Sequence, residues 1–382
     1  MSKKNYWIIH GNKYYLDEYV NKHPGGYHAI MSGANRDCTE LFESYHIFND
    51  NHRKILNIYN NNKEIKLPEP DPIYEDFKNI IRTKYKSYKD LKMPIPLFIF
   101  YNITCLFQLY LISITNNLKY IFILGYFFSM FGMRLVHECG HFSLSKYNII
   151  NYLNQFIMFP FMGFLGWHHQ HVIGHHQYTN VSKDPDMYFM SKYKIDKANN
   201  IIRTLFFIGL CWLSVFQYIT HSFSLLIKGK SVGQKSMYPR YIIFLEIIIC
   251  LYLNTFLNWT PLKYFTFMWG AGFEFLPTSQ IAHLIVYPGK ESENWVTQQI
   301  KESVNFGVNN NSMFWRIWFF GLNTQLEHHI FPGISHEHHY NISNDVKKVC
   351  KKHNIKYKSL TIKEGFCALI KRIWYGKPIE LN

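Results

Sequence analysis

Residues 120–141 read YIFILGYFFSMFGMRLVHECGH. Tyr120 to Val136 is an apolar run interrupted by one cation, Arg134, and approaches the ~20 residues an α-helix needs to cross a bilayer. His137 and His141 follow at once, and their i, i+4 spacing puts both imidazoles on one helical face, one turn apart. Two ligands to one metal can share that face. Ionisable groups at a membrane edge are energetically costly and usually functional, so the stretch predicts a membrane helix ending in part of a metal site.

Just before it, Leu97 to Thr115 is a second apolar run, separated from the first only by Asn116-Asn117-Leu118-Lys119, so the pair is expected to form a membrane hairpin. Ile149 to Gly166 is apolar but broken by Asn151, Asn154, Gln155 and Pro160, and reads as interfacial or re-entrant. The second half offers Leu205 to Ile227, Tyr241 to Leu257 and Pro261 to Val286. Later motifs must return to the side of the earlier ones, so two of these three should span. Lys228, Lys230, Lys235 and Arg240 follow the first, and positive charge favours the cytosol, so Leu205 to Ile227 is assigned to the membrane surface. Four spanning helices with both termini cytosolic result.

At 382 residues, 48% hydrophobic and 18% aromatic, the chain has length for two domains and ample material for a core. The mean hydropathy of −0.15 averages Asn- and Lys-rich loops with long apolar runs and so hides the membrane segments. A net charge of +15 would suit nucleic acid, but the basic residues are dispersed between apolar segments; lipid headgroups, with no nucleic acid, are the expected partners. Seven cysteines without paired CxxC spacing argue against a disulfide framework or a zinc ribbon and fit reduced thiols. The opening MSKKNYWIIHGNKYY has too short an apolar stretch for a signal peptide, which leaves the N-terminus in the cytosol.

Residues 1–62 form a separate polar module, with a strand at Trp7-Ile8-Ile9 and a turn at Gly11-Asn12. Residues 63–94 read as a linker; between Lys63 and Tyr74, Pro68, Pro70 and Pro72 among charges should prevent a helix. The membrane domain is 95–382.

Dense histidine clusters stand at His137/His141, at His168/His169/His171/His175/His176 and at His328/His329/His336/His338/His339. Imidazole-rich, cysteine-poor ligation suits iron, copper or zinc, and eight or nine histidines are too many for one ion, which suggests two metals close together.

With these clusters the chain resembles the front-end acyl-lipid desaturases, membrane di-iron enzymes with a fused cytochrome b5 domain. The first box of that family, HxxxH, is His137 and His141; the second, HxxHH or HxxxHH, is His171, His175 and His176; the third, QxxHH, is Gln325, His328 and His329. Gln in place of a first His marks the front-end class. HVIGHHQYTN at 171–180, Asp184-Pro185-Asp186 and HHIFPG at 328–333 also resemble the family's usual surroundings. The resemblance implies a further ligand near the cytosolic end of the last spanning helix, where His283 stands. His168 and His169 would serve as outer contacts or meet headgroups, and Glu138 and Glu327 could orient neighbouring imidazoles.

His23-Pro24-Gly25-Gly26, followed by Asp37 to His46, is similar to the haem-ligand segments of cytochrome b5-like domains, with His23 and His46 clamping the iron of haem b and Tyr19, Ile30, Leu41 and Phe42 as walls. The implied fold is an N-terminal α+β cytochrome b5-like haem domain followed by an all-α membrane domain with four transmembrane helices and a cytosolic histidine-box cap.

The implied reaction removes two hydrogens from adjacent methylenes of a fatty-acyl lipid, carried as acyl-CoA or phospholipid, with O2 as oxidant, and leaves a cis double bond on the carboxyl side of an existing one. Delta-5 or delta-4 regiochemistry is favoured over delta-6. No GxGxxG follows a strand, so electrons should come from NADH through a separate NADH-cytochrome b5 reductase at the endoplasmic reticulum membrane. A sphingolipid long-chain-base desaturase or lipid hydroxylase, and a non-enzymatic membrane haem protein, are the competing readings.

Overall fold

The computed structural model describes residues 4–59, 67–158, 163–186, 195–213, 216–231, 234–256, 258–286, 289, 294–310 and 312–379. Near the N-terminus, strand Trp7–Ile9 pairs antiparallel with Asn12–Tyr14, Ile9 opposite Asn12. The loop is therefore His10-Gly11, one residue earlier than the Gly11-Asn12 expected. A two-residue hairpin turn favours left-handed conformation at both central positions, and His10 (φ 49°) and Gly11 (φ 73°) adopt it while Asn12 is already in the ladder. The Trp7 indole N–H donates to the Ile30 carbonyl at 2.8 Å, tying the hairpin to helix Gly26–Met31. Helices Thr39–Tyr45 and Asn51–Ile58 complete this small unit.

Between the two halves, residues 67–94 do more than connect. A helix, Pro72–Lys84, begins inside the stretch expected to lack one. Proline at the first helical position loses no hydrogen bond, and the Asp71 carboxylate accepts the Tyr74 N–H at 2.8 Å as cap. Tyr74, Phe77, Ile80 and Ile81 bury against Ile47, Ile330, Phe331 and Val346, so this helix wedges the end of the N-terminal unit onto the segment that carries the third box. Residues 60–62 of the N-terminal module and 63–66 of the linker assignment lie outside the described residues.

Among the described residues, two helices are long and apolar enough to cross a membrane, Tyr88–Ile114 and Leu118–Gly140. Ile95, Ile103, Phe107 and Ile114 of the first point outward, as suits a lipid-facing surface. Leu118–Gly140 packs on helix Pro261–Ile281 through reciprocal glycines. A Cβ on Gly125 would lie 2.2 Å from the Phe267 carbonyl oxygen, and one on Gly270 would lie 2.1 Å from that of Phe122. Small residues let membrane helices approach backbone to backbone. The ends of both helices reach one cavity, which brings His137 and His283 to it.

Leu205 to Ile227 is helical over Asn200–Leu213 and Phe216–Lys228, and residues 214 and 215 lie outside the described residues. Ile149 to Gly166 spans helices Asn148–Met158 and Phe164–Trp167, and Pro160 lies outside the described residues. Asn151 and Asn154 do not interrupt the first of these. Asn151 donates to the Ser145 carbonyl at 2.8 Å and Asn154 to the Asn102 side chain at 2.6 Å, so both fasten the helix to its neighbours.

Candidate metal centre and haem pocket

The first box closes an α-helical segment, Arg134–Gly140, with His141 as the next residue. The second lies largely in a π-helical stretch, His168–His175. Its i→i+5 bonding widens the turn, so positions i+4 and i+5 both come near i. The His171 ring centroid is accordingly 5.4 Å from that of His175 and 4.8 Å from that of His176. The third box occupies the short helix Gln325–Ile330.

These elements bring all the expected imidazoles together. Ligand atoms of His137, His141, His171 and His328 lie within 4.8 Å of one another, as do those of His175, His283 and His329. His176 stands between the groups, its ring centroid 4.5 Å from His141 and 4.4 Å from His329. The Gln325 amide nitrogen lies 2.8 Å from Nε2 of both His283 and His329.

Four of the cluster's imidazoles have an Nδ1 partner. His141 Nδ1 meets the Tyr45 hydroxyl at 2.9 Å, His175 Nδ1 the Asp184 carboxylate at 2.9 Å and His329 Nδ1 the Thr179 hydroxyl at 3.0 Å. His283 Nδ1 donates to the Glu302 carbonyl at 3.4 Å. Partners of this kind set the tautomer and aim Nε2 at a metal. Nε2 of His141 and both ring nitrogens of His328 are buried with no hydrogen-bond partner, and His137 and His171 face each other Nε2 to Nε2 at 2.9 Å. The 2.9 Å approach is itself a hydrogen bond, but the unpartnered buried nitrogens of His141 and His328 are unfavourable without an electrophile, so the residues present fit a pair of metal ions.

Electrostatics agree. Burial, then neighbouring imidazoles, pushes His171, His176, His328 and His329 well below the ordinary histidine range, so their lone pairs stay free at neutral pH. At His175 burial disfavours the charge, but Asp184 and Asp186 outweigh it and lift the pKa to about 9. A carboxylate behind an imidazole makes it a stronger donor.

Beside the second group opens a cavity with Met133, Phe207, Leu276, Phe320 and Leu322 on its walls and His137, His171, His175 and His283 at its polar end. An apolar hollow leading to an imidazole cluster is shaped for an alkyl chain.

In the N-terminal unit, His23 and His46 face each other with ring centroids 6.2 Å apart and planes at 86°. His46 Nδ1 donates to the Phe42 carbonyl at 2.6 Å, which frees Nε2, and His23 Nδ1 is buried and unpartnered. Burial, then His46, lowers the His23 pKa to about 4. Gly26 takes φ 81° just after His23, the conformation only glycine adopts readily. Two neutral, opposed imidazoles fit a haem iron with no open position.

His168 and His169 stand off the metal cluster, where outer contacts were expected, but several partners and placements were not anticipated. His168 Nε2 meets the Ser32 hydroxyl at 3.0 Å and so docks the haem domain, and His169 Nε2 accepts the Met237 N–H at 3.3 Å. Glu327 orients no imidazole; it accepts from Asn305 at 2.7 Å and Tyr357 at 2.9 Å. His336 joins the cluster, 4.8 Å from His137 and 5.0 Å from His328 between ring centroids. His52 stacks on His46 at 4.4 Å and 9°. Histidine density after the third box was the available signal for His336; for His52 the sequence carried none.

The Fatty acid desaturase family matches residues 116–361, and the Cytochrome b5-like Heme/Steroid binding domain matches residues 1–62. The chain is similar to the Acyl-lipid omega-13 desaturase of Chlamydomonas reinhardtii, 28% identical over 92% of this chain and 89% of that protein. It is also similar to Delta(5) fatty acid desaturase A of Dictyostelium discoideum, 27% identical over 92% and 86% of the two chains. Probable Delta(5) fatty acid desaturase C of the same organism is 28% identical over 92% and 87%. No solved structure gives a significant match.

Proposed function

The chain belongs to the fatty acid desaturase family and carries a cytochrome b5-like haem domain, and we propose that it works on polyunsaturated acyl lipids at the delta-5 position, on the carboxyl side of an existing double bond. Delta(5) in the names of two relatives supports that position. The relatives' desaturase names do not favour a hydroxylase or a sphingolipid enzyme. The observation that carries the reading is the meeting of all three boxes and His283 at the end of an apolar cavity.

His137, His141, His171 and His328 would hold one iron and His175, His283 and His329 the other, with His176 standing between the two groups; His23 and His46 would hold the haem. The irons, when bound, supply oxygen reduction and hydrogen abstraction from unactivated methylenes. In balance, two acyl hydrogens, two electrons and two protons reduce O2 to two waters. The protein's share is to aim His141, His175, His283 and His329 by their Nδ1 partners and to seat the alkyl chain in the apolar-walled cavity. Helices Arg240–Phe256 and Pro261–Ile281 serve as third and fourth spans, with both termini cytosolic in the endoplasmic reticulum membrane. A haem domain at residues 1–62 receives electrons from NADH-cytochrome b5 reductase.

Gas chromatography with mass spectrometry of fatty acids from a heterologous host fed polyunsaturated substrates tests this, beside a His328→Ala variant. A new delta-5 double bond, absent in the variant, is expected. A hydroxylated product or a new long-chain-base double bond would overturn the reading.

A further inference from the structure

His46, proposed above to bind the haem, is preceded in the chain by Tyr45, whose hydroxyl lies 2.9 Å from Nδ1 of His141 in the first box. Other contacts between the haem domain and the rest of the chain end elsewhere: Ser32 on His168, Arg36 on the Lys235 carbonyl, and the Asp37 carbonyl on Gln177. The Tyr45 contact is built. Its ring lies against Gly333, just beyond the third box, where a Cβ would come within 3.1 Å of Cδ1. Helix Thr39–Tyr45 positions it, and the same helix supplies the Phe42 carbonyl that fixes the His46 tautomer.

Electron transfer falls off steeply across empty space and much less along bonds. From the His46 ring the route runs through side-chain and backbone bonds to the Tyr45 hydroxyl, crosses one hydrogen bond and enters the His141 imidazole, whose Nε2 is unpartnered. We propose that Tyr45 is the positioning residue that carries electrons from the haem to the metal pair through His141. The inference rests on the di-iron and haem reading above. Each passage oxidises ferrous haem to ferric and reduces one ferric iron to ferrous, and two passages supply the two electrons each double bond requires. With a metal on Nε2, His141 Nδ1 keeps its proton and donates to the Tyr45 oxygen, so Tyr45 neither loses a proton nor is itself oxidised.

The test uses the full-length, haem- and iron-loaded protein in detergent, its haem reduced anaerobically and then mixed with oxygen and an acyl lipid, with reoxidation followed in the Soret band. Tyr45→Phe keeps the ring against Gly333 and removes only the hydroxyl. Haem and iron contents should match the unmodified protein, while reoxidation slows roughly tenfold or more, in the range seen when a partner behind a metal ligand is removed. A soluble mediator that reduces the irons directly should restore single-turnover product. Reoxidation at the unmodified rate overturns the proposal. Loss of iron from Tyr45→Phe also overturns it and reduces Tyr45 to a prop for His141. Reoxidation in the unmodified protein that is the same with and without iron would instead sink the reading on which the proposal rests.

Discussion

The Glu138 carboxylate accepts hydrogen bonds from His336 Nδ1 and from the His336 backbone N–H, each at 2.9 Å, across 198 residues of sequence. It also accepts from the Ser335 hydroxyl at 3.0 Å, so one buried acid ties the first box to the segment after the third. Glu138→Ala leaves these donors buried and unpaired. A loss of about 1–3 kcal/mol in stability is expected, with iron affinity down roughly 10- to 100-fold; thermal melting and iron titration measure the two effects.

A methyl group at position 140 tests the packing behind the cluster. A Cβ there would lie 2.2 Å from the Trp167 indole, and that ring stacks on His171 at 4.9 Å. Gly140→Ala should destabilise the protein by roughly 1–3 kcal/mol and displace His171. Iron content falling together with melting temperature is the expected signature, and unchanged iron binding would contradict it.

The two groups of imidazoles should be separable. His283 belongs with His175 and His329, away from the other four ligands. His283→Ala is expected to lower iron from two ions toward one per chain while leaving the haem spectrum intact, read by metal analysis and absorbance.

Acid should loosen the haem domain through Glu43. Burial raises its pKa, but the hydrogen bond from His10 and the charge of Arg53 more than reverse that and hold it near 2 instead of 4.5. A depressed carboxylate stabilises the fold above its unfolded pKa, and the contribution, roughly 3 kcal/mol at most, is lost as pH falls from 4.5 towards 2. Soret absorbance followed across that window should show a flatter acid transition in Glu43→Gln than in the unmodified protein.

Leu276 lies on the cavity wall and is nearly buried. Leu276→Trp should shorten the accessible space, so competing substrates of different chain length are expected to shift in favour of the shorter. An unchanged product ratio would place the acyl chain elsewhere.

The boxes, the opposed histidines His23 and His46 and the first two apolar helices were legible in the sequence because each is a local pattern: an i, i+4 spacing, a glycine pair after histidine, an apolar run. His283 was legible only through resemblance, since a lone histidine after a helix has no spacing to read. Tertiary structure decided the division of imidazoles into two groups, the entry of His336 and the departure of His168 to Ser32. It also decided which groups stand behind the ligands, as with Tyr45 on His141 and Thr179 on His329. The reason is physical: ligand type and helical face follow from neighbours a turn away, whereas a hydrogen bond between residues 96 or 150 positions apart exists only once the helices that carry them have packed.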